Sequence, residues 1–231
     1  MTARNDLSPV LWLALPLATL AVFAVIVFMF PQLVPGWLEN ENGLVELGTP
    51  ALLLPAIVAG FMTCAGNKRL PAPWLTVWLS LVTLACVYMA GEEISWGQHL
   101  LGWETPEAFK TLNDQRETNI HNISSWFDQK PRILLELWIL VGGIFLPLRN
   151  RITGIEYSMS DTGYWFWPTP VVLPTALIAI LVKLPERLEN LFGWWPYDFH
   201  VRYSEIQEFY FAMFLMLYVL SIRKRLYADK N

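Results

Sequence analysis

The sequence predicts an all-α fold: a polytopic membrane helix bundle of six transmembrane helices, forming a single integral membrane domain over residues 1–231. Three observations carry the prediction. Hydrophobic residues make up 55% of the chain and the mean hydropathy is +0.38, which is the balance of a membrane protein rather than of an ordinary globular domain. Several segments carry no charge over a length that crosses roughly 30 Å of hydrocarbon at about 1.5 Å per residue. Charged and turn-forming residues gather in the connections between them.

The first span lies within Leu7–Leu38. It is too long and too apolar for a cleaved signal peptide, and Pro31 rather than a small-residue cleavage pattern follows it, so it is expected to be retained. The second lies within Leu47–Asn67, where Pro50 and Pro55 predict a kink or a frayed start. The third is Leu70–Gly91. The fourth, Pro131–Leu148, is interrupted only by Arg132 at its start and by Glu136, and the fifth, Thr162–Val182, carries Pro168, Pro170 and Pro174, which again predict a kink or a frayed start. The sixth, Glu205–Ile222, begins with two glutamates and continues with 14 uncharged residues.

The longest connection is 99–130. Thr105-Pro106-Glu107 is a helix start, with Thr as N-cap, Pro at the first helical position and an acid in the first turn. Ile120, Ile123 and Phe127 then recur at three and four residues, which predicts short amphipathic helices on the membrane surface. In the connection 183–204, Leu191-Phe192-Gly193-Trp194-Trp195-Pro196-Tyr197 reads as a loop dipping into the interface. Trp37, Trp96, Trp103, Trp126, Trp194 and Trp195 fall at the same boundary, as an aromatic belt does.

Orientation follows from the loops. Threading the six spans with both termini inside places nine cations and four acids on the inner side. The clusters Asn67-Lys68-Arg69 and Arg223-Lys224-Arg225 then abut inner helix ends, and the basic C-terminal tail reads as a topology anchor. All three histidines and 16 of the 20 carboxylates fall outside. A nucleic-acid reader would need a basic stripe, which is absent. Cys64 and Cys86 sit at different depths and give no disulfide framework.

Carboxylates near hydrocarbon are costly and usually have a partner or a task. The densest segment is Gly91-Glu92-Glu93-Ile94-Ser95-Trp96-Gly97-Gln98-His99; if the third helix continues through it, Glu92, Trp96 and His99 share one face. Glu117 and His121 lie one helical turn apart, a spacing that suits a metal ion and equally an ordinary surface pair. Asp198-Phe199-His200 precedes Glu205 and Glu208 on the sixth helix. With Glu46 on the second and Glu136 on the fourth, helices two, three, four and six each bring a carboxylate to one depth.

Two chemistries fit this set. Glu46, His99, His121 and His200 offer ligands for a divalent ion such as zinc, which acidifies a water or polarises a phosphoryl or acyl group. Glu92, Glu93, Glu117, Glu205 and Glu208, packed closely, would supply an acid and a base without a metal. The bland alternative is a structural network in which Arg116, Arg132, Arg187 and Arg202 neutralise the acids. No phosphate-cradling glycine loop, Gly-x-Ser-x-Gly elbow, Cys-x-x-Cys or His-Glu-x-x-His occurs.

The string Glu92-Glu93-Ile94-Ser95-Trp96-Gly97-Gln98, with Thr105-Pro106-Glu107, Asn113, Gln115, Glu117, Asn119, His121 and Asn122, resembles a group of uncharacterised bacterial multi-pass membrane proteins. The likeness extends to Glu41-Asn42-Gly43, Glu46 and Glu205-x-x-Glu208, and implies a bacterial inner membrane and no particular activity. It does not extend to the alkaline ceramidase-type hydrolases, whose His-x-x-x-His pair is absent.

The sequence therefore predicts a periplasm-facing carboxylate and histidine site, read first as a metal-assisted hydrolase or transferase acting on a lipid or lipid-linked substrate. The alternatives are a small transporter or cation- or proton-binding protein, and an assembly subunit that docks a periplasmic partner. Membrane lipids are the expected partners, with a periplasmic protein or a second copy of the chain as further ones.

Overall fold

The computed structural model describes residues 6–40, 43–66, 70–107, 125–193 and 201–228. Among these residues the regular structure is entirely helical. Six helices are long and apolar enough to cross a membrane: α1 (Val10–Met29), α2 (Leu44–Ala65), α3 (Pro73–Glu93), α4 (Gln129–Thr153), α5 (Thr162–Phe192) and α6 (Tyr203–Tyr227). The bundle is that of an integral membrane protein. One end, formed by the starts of α2, α4 and α6 and the close of α3, carries the glutamates; the opposite end carries Arg149, Arg151 and Arg223 to Arg225.

α6 is the central helix. In its most apolar stretch 83% of the residues are buried, against 22–50% in the other five. It packs most extensively on α2 and then on α5, while α2 packs on α3. Phe23 of α1 meets it edge-on at Phe209, with ring centroids 5.2 Å apart. Close approach relies on small residues, as expected where lipid removes the hydrophobic drive between helices. A Cβ on Gly48 of α2 would lie 2.7 Å from the Phe209 ring, and one on Gly143 of α4 would lie 2.7 Å from Phe214.

Proline explains most of the irregularity. Residues before proline are driven out of the α region. Trp167 and Thr169, which precede Pro168 and Pro170, accordingly have ψ of 142° and 164° and break α5. The freed carbonyls are met by α6: Tyr218 donates to Phe166 O at 2.8 Å, and Arg225 donates to Tyr164 O. Such compensation is required of a broken helix inside a membrane. Two π-helical stretches, Val10–Ala14 and Ile139–Phe145, end two residues before Pro16 and Pro147, whose missing N–H interrupts the regular ladder.

Several expectations change. α2 begins at Leu44 and runs unbroken through Pro50 and Pro55, so the predicted frayed start is absent. The helix leading into α4 begins at Ser125, before Pro131, and thus takes up the end of the predicted surface segment. α5 continues to Phe192, because Leu184–Phe192 forms a further helix where a loop is predicted at its end. Its own signal was present: Pro185 early, Glu186 in the first turn, and Leu184, Leu188, Leu191 at helical spacing. The basic tail is not simply a solvated anchor. Arg225 is 3% exposed, its guanidinium stacked over the rings of Tyr164 and Trp165 at 4.6 and 5.4 Å. Both cysteines are free.

Candidate functional site

Three helix ends build the site. Gly43 caps α2 where the chain returns so tightly that a Cβ would lie 2.7 Å from Trp37 O, and Glu46 follows in the first turn. α3 ends at Glu93. α6 brings Glu205 in its first turn and Glu208 one turn on. The side chains of Glu93 and Glu208 are hydrogen-bonded to each other, and Glu46 and Glu205 lie within electrostatic range of Glu93. A carboxylate has only acceptors, so a hydrogen bond between two carboxyl groups requires a proton on one of them. Three helices distant in sequence thus converge on one pair of carboxyl groups.

Arginines flank this pair. Arg132 of α4 forms a salt bridge with Glu208, and Arg187 of α5 forms one with Glu136. Arg132 and Glu136 are one turn apart on α4, so the two ion pairs share one helix face. Arg202 lies 3.7 Å from Glu205 and its backbone N–H donates to Glu39 Oε1 at 2.8 Å. Part of the neutralising network expected of a structural role is therefore present, on Glu136, Glu205 and Glu208. The groups acting on Glu93 are themselves carboxyls.

Glu92 and Glu93, adjacent in sequence, have separate surroundings. Glu92 is buried and accepts from Trp96 Nε1 at 2.6 Å. Glu92 and Trp96 are not on one continuing helix, as the sequence suggests. α3 stops, and Ser95, Trp96 and Gly97 follow with φ of 45°, 55° and 90°. Two non-glycine residues in the left-handed region are a costly arrangement, of a kind concentrated at functional sites. The turn folds Trp96 back over Gly91, where a Cβ would lie 2.8 Å from the indole. Beyond it Gln98 Nε2 donates to the buried Thr105 hydroxyl at 2.7 Å, so Thr105 binds back to the turn.

Of the predicted site residues, Glu46, Glu93, Glu205 and Glu208 come together. Glu92 turns aside to Trp96, and Glu136 pairs with Arg187. Glu117, His121 and His200, together with the His99 side chain, lie outside the described residues. Among the described residues no group of three or more His, Cys, Asp or Glu is arranged to hold a metal ion. Sequence reasoning missed the role of Trp96 as a donor to Glu92, although the spacing of four residues allowed it.

No protein-family model, curated protein or solved structure matches this chain. The chemistry of the site rests on its own residues.

Proposed function

We propose that this protein is a membrane-embedded enzyme performing acid–base chemistry on a lipid or lipid-linked substrate, at a site opening to the periplasmic side of a bacterial inner membrane. The observation that carries this reading is the hydrogen bond between Glu93 and Glu208. A pair that shares one proton contains both an acid and a base, and general acid–base catalysis needs that combination within reach of one substrate. Arg132 steadies Glu208, leaving Glu93 as the member that exchanges its proton with substrate. Glu46 and Glu205 supply the surrounding negative field. In a metal-assisted form of the reaction, Glu46, His99, His121 and His200 would hold the ion, which would acidify a water or polarise the substrate.

Lateral access suits such a substrate. Leu191 and Phe192, on the amphipathic helix that closes α5, are exposed beside the Arg187–Glu136 pair, as expected of a helix lying at the headgroup level. The test is untargeted lipid mass spectrometry of cells producing the wild type or Glu93→Gln at equal levels, with elemental analysis of both purified proteins. A lipid species depleted by the wild type and spared by the variant is expected. Identical lipid profiles would overturn the reading, and metal bound in stoichiometric amount would select its metal-assisted form.

A further inference from the structure

Gln207, Tyr210, Phe214, Tyr218, Ser221 and Arg225 recur on α6 at spacings of three and four residues, and so share one face along the whole helix. All six are buried, and five are polar. Neutral polar side chains inside a membrane bundle join helices by hydrogen bonds, and ionisable ones such as Arg225 are costly and mark pathways. Their partners come from three other helices. Gln207 Nε2 donates to Ala179 O at 3.0 Å. The Tyr210 hydroxyl meets the Thr19 hydroxyl at 3.0 Å and Pro16 O at 3.1 Å. Tyr218 accepts from Trp78 Nε1 at 2.8 Å. Ser221 meets the Thr169 hydroxyl at 3.3 Å, and Thr169 donates to Asp6 Oδ2 at 2.6 Å.

Three further atoms along this seam have no hydrogen-bond partner among the described residues: Gln207 Oε1, Thr175 Oγ1 and Arg225 Nη2. Gln207 and Thr175 are 0% exposed. Thr175 lies one turn from Ala179 on the same buried face of α5, beside Ala176, which packs near Phe214 around Gly143. It therefore brings a hydroxyl to the two-turn interval, about 12 Å, between Tyr210 and Tyr218. A buried polar atom without a partner costs about 1–3 kcal/mol, and internal water is its usual partner.

We propose that the α5–α6 seam is a water-bridged proton path joining the glutamate end of the bundle to Asp6 at the opposite end. The two hydroxyl pairs give it the property a relay requires. In Thr19–Tyr210 and in Thr169–Ser221 either oxygen can donate. When Asp6 takes up a proton from its own side, it donates to Thr169 Oγ1, Thr169 passes its own proton to Ser221 Oγ, and Ser221 passes its own to the next bridging water. Each oxygen forms one O–H bond and releases one, so a single proton advances and, after the hydroxyls rotate back, no bond has changed. Phe214, the apolar member, is the narrow point of the path. The seam uses none of the carboxyls of the glutamate site, so it stands or falls separately from the reaction proposed there.

The test is proton flux into vesicles containing the purified full-length protein and an internal pH dye, driven by a potassium gradient with valinomycin. The wild type is expected to acidify the vesicles several-fold faster than protein-free vesicles do. Thr175→Val, which keeps the shape and removes the hydroxyl, and Ser221→Ala are each expected to return the rate towards the protein-free value. A wild-type rate equal to that of empty vesicles overturns the proposal. So does undiminished flux in both variants, which would mark the flux as leakage around the protein.

Discussion

Trp96 donates its indole N–H to Glu92 Oε1 at 2.6 Å from a left-handed backbone conformation, with its ring laid over Gly91. The glycine makes this fold-back feasible, because a methyl at position 91 would lie 2.8 Å from the ring. Gly91→Ala should therefore displace the indole, remove the donor from a buried carboxylate and lower stability by about 1–3 kcal/mol. Thermal unfolding in detergent measures it. In a Trp96→Ala background the same substitution should be nearly neutral, and equal losses in both backgrounds would disprove the contact's role.

The Arg132–Glu208 ion pair joins α4 to the Glu93–Glu208 pair. Removing one partner of a fully buried ion pair costs about 3–5 kcal/mol. These side chains retain 26% and 18% exposure, so water offsets part of that cost. Arg132→Ala should destabilise by about 1–3 kcal/mol, and adding Glu208→Gln should recover a good part of it. The double variant will regain stability but not the lipid turnover proposed for the site.

α2 and α3 meet at Gly60, where a Cβ would lie 2.1 Å from Thr83 Oγ1. The hydroxyl is held in place by its bond to Leu79 O at 2.7 Å. Gly60→Ala should lower stability by about 1–3 kcal/mol through overpacking. Thr83→Ala opens that space, and the combined variant should unfold close to the wild-type temperature.

At the opposite end, Arg225 supports the break in α5 by donating to Tyr164 O and stacking on Tyr164 and Trp165. Arg225→Ala should destabilise by about 2–5 kcal/mol, since it empties a packed position and leaves a buried carbonyl unmet. Arg225→Lys should not rescue it, because an ammonium lacks the planar face that stacks on both rings. Limited proteolysis between Thr153 and Thr162 reports the loosening directly, and a lysine variant as resistant as the wild type would contradict it.

Much of the site was legible before folding and part of it was not. Glu46, Glu93, Glu205 and Glu208 could be placed at one depth because each lies at the end of an uncharged run, and depth follows from position along a span. Which of two adjacent glutamates enters the cluster could not be read. That choice depends on α3 ending at Glu93 and on the left-handed turn after it, which sends Glu92 to Trp96. Arg225 was misjudged for a related reason: its neighbours in sequence are basic, whereas its surroundings are Tyr164 and Trp165 from another helix.

By itself the sequence determined that there are six apolar helices, that the acids gather at one end, and that α5 carries the prolines at which it breaks. These are local properties: hydropathy adds residue by residue, and proline restricts the residue before it. Only the tertiary structure decided that α6 lies at the centre, that Glu93 meets Glu208, and that the polar residues of α6 form one seam. Those outcomes depend on the rotation and closeness of helices, set where α2 and α4 approach α6 through Gly48 and Gly143. Contacts of that kind are made between residues far apart in the chain, and no single segment contains them.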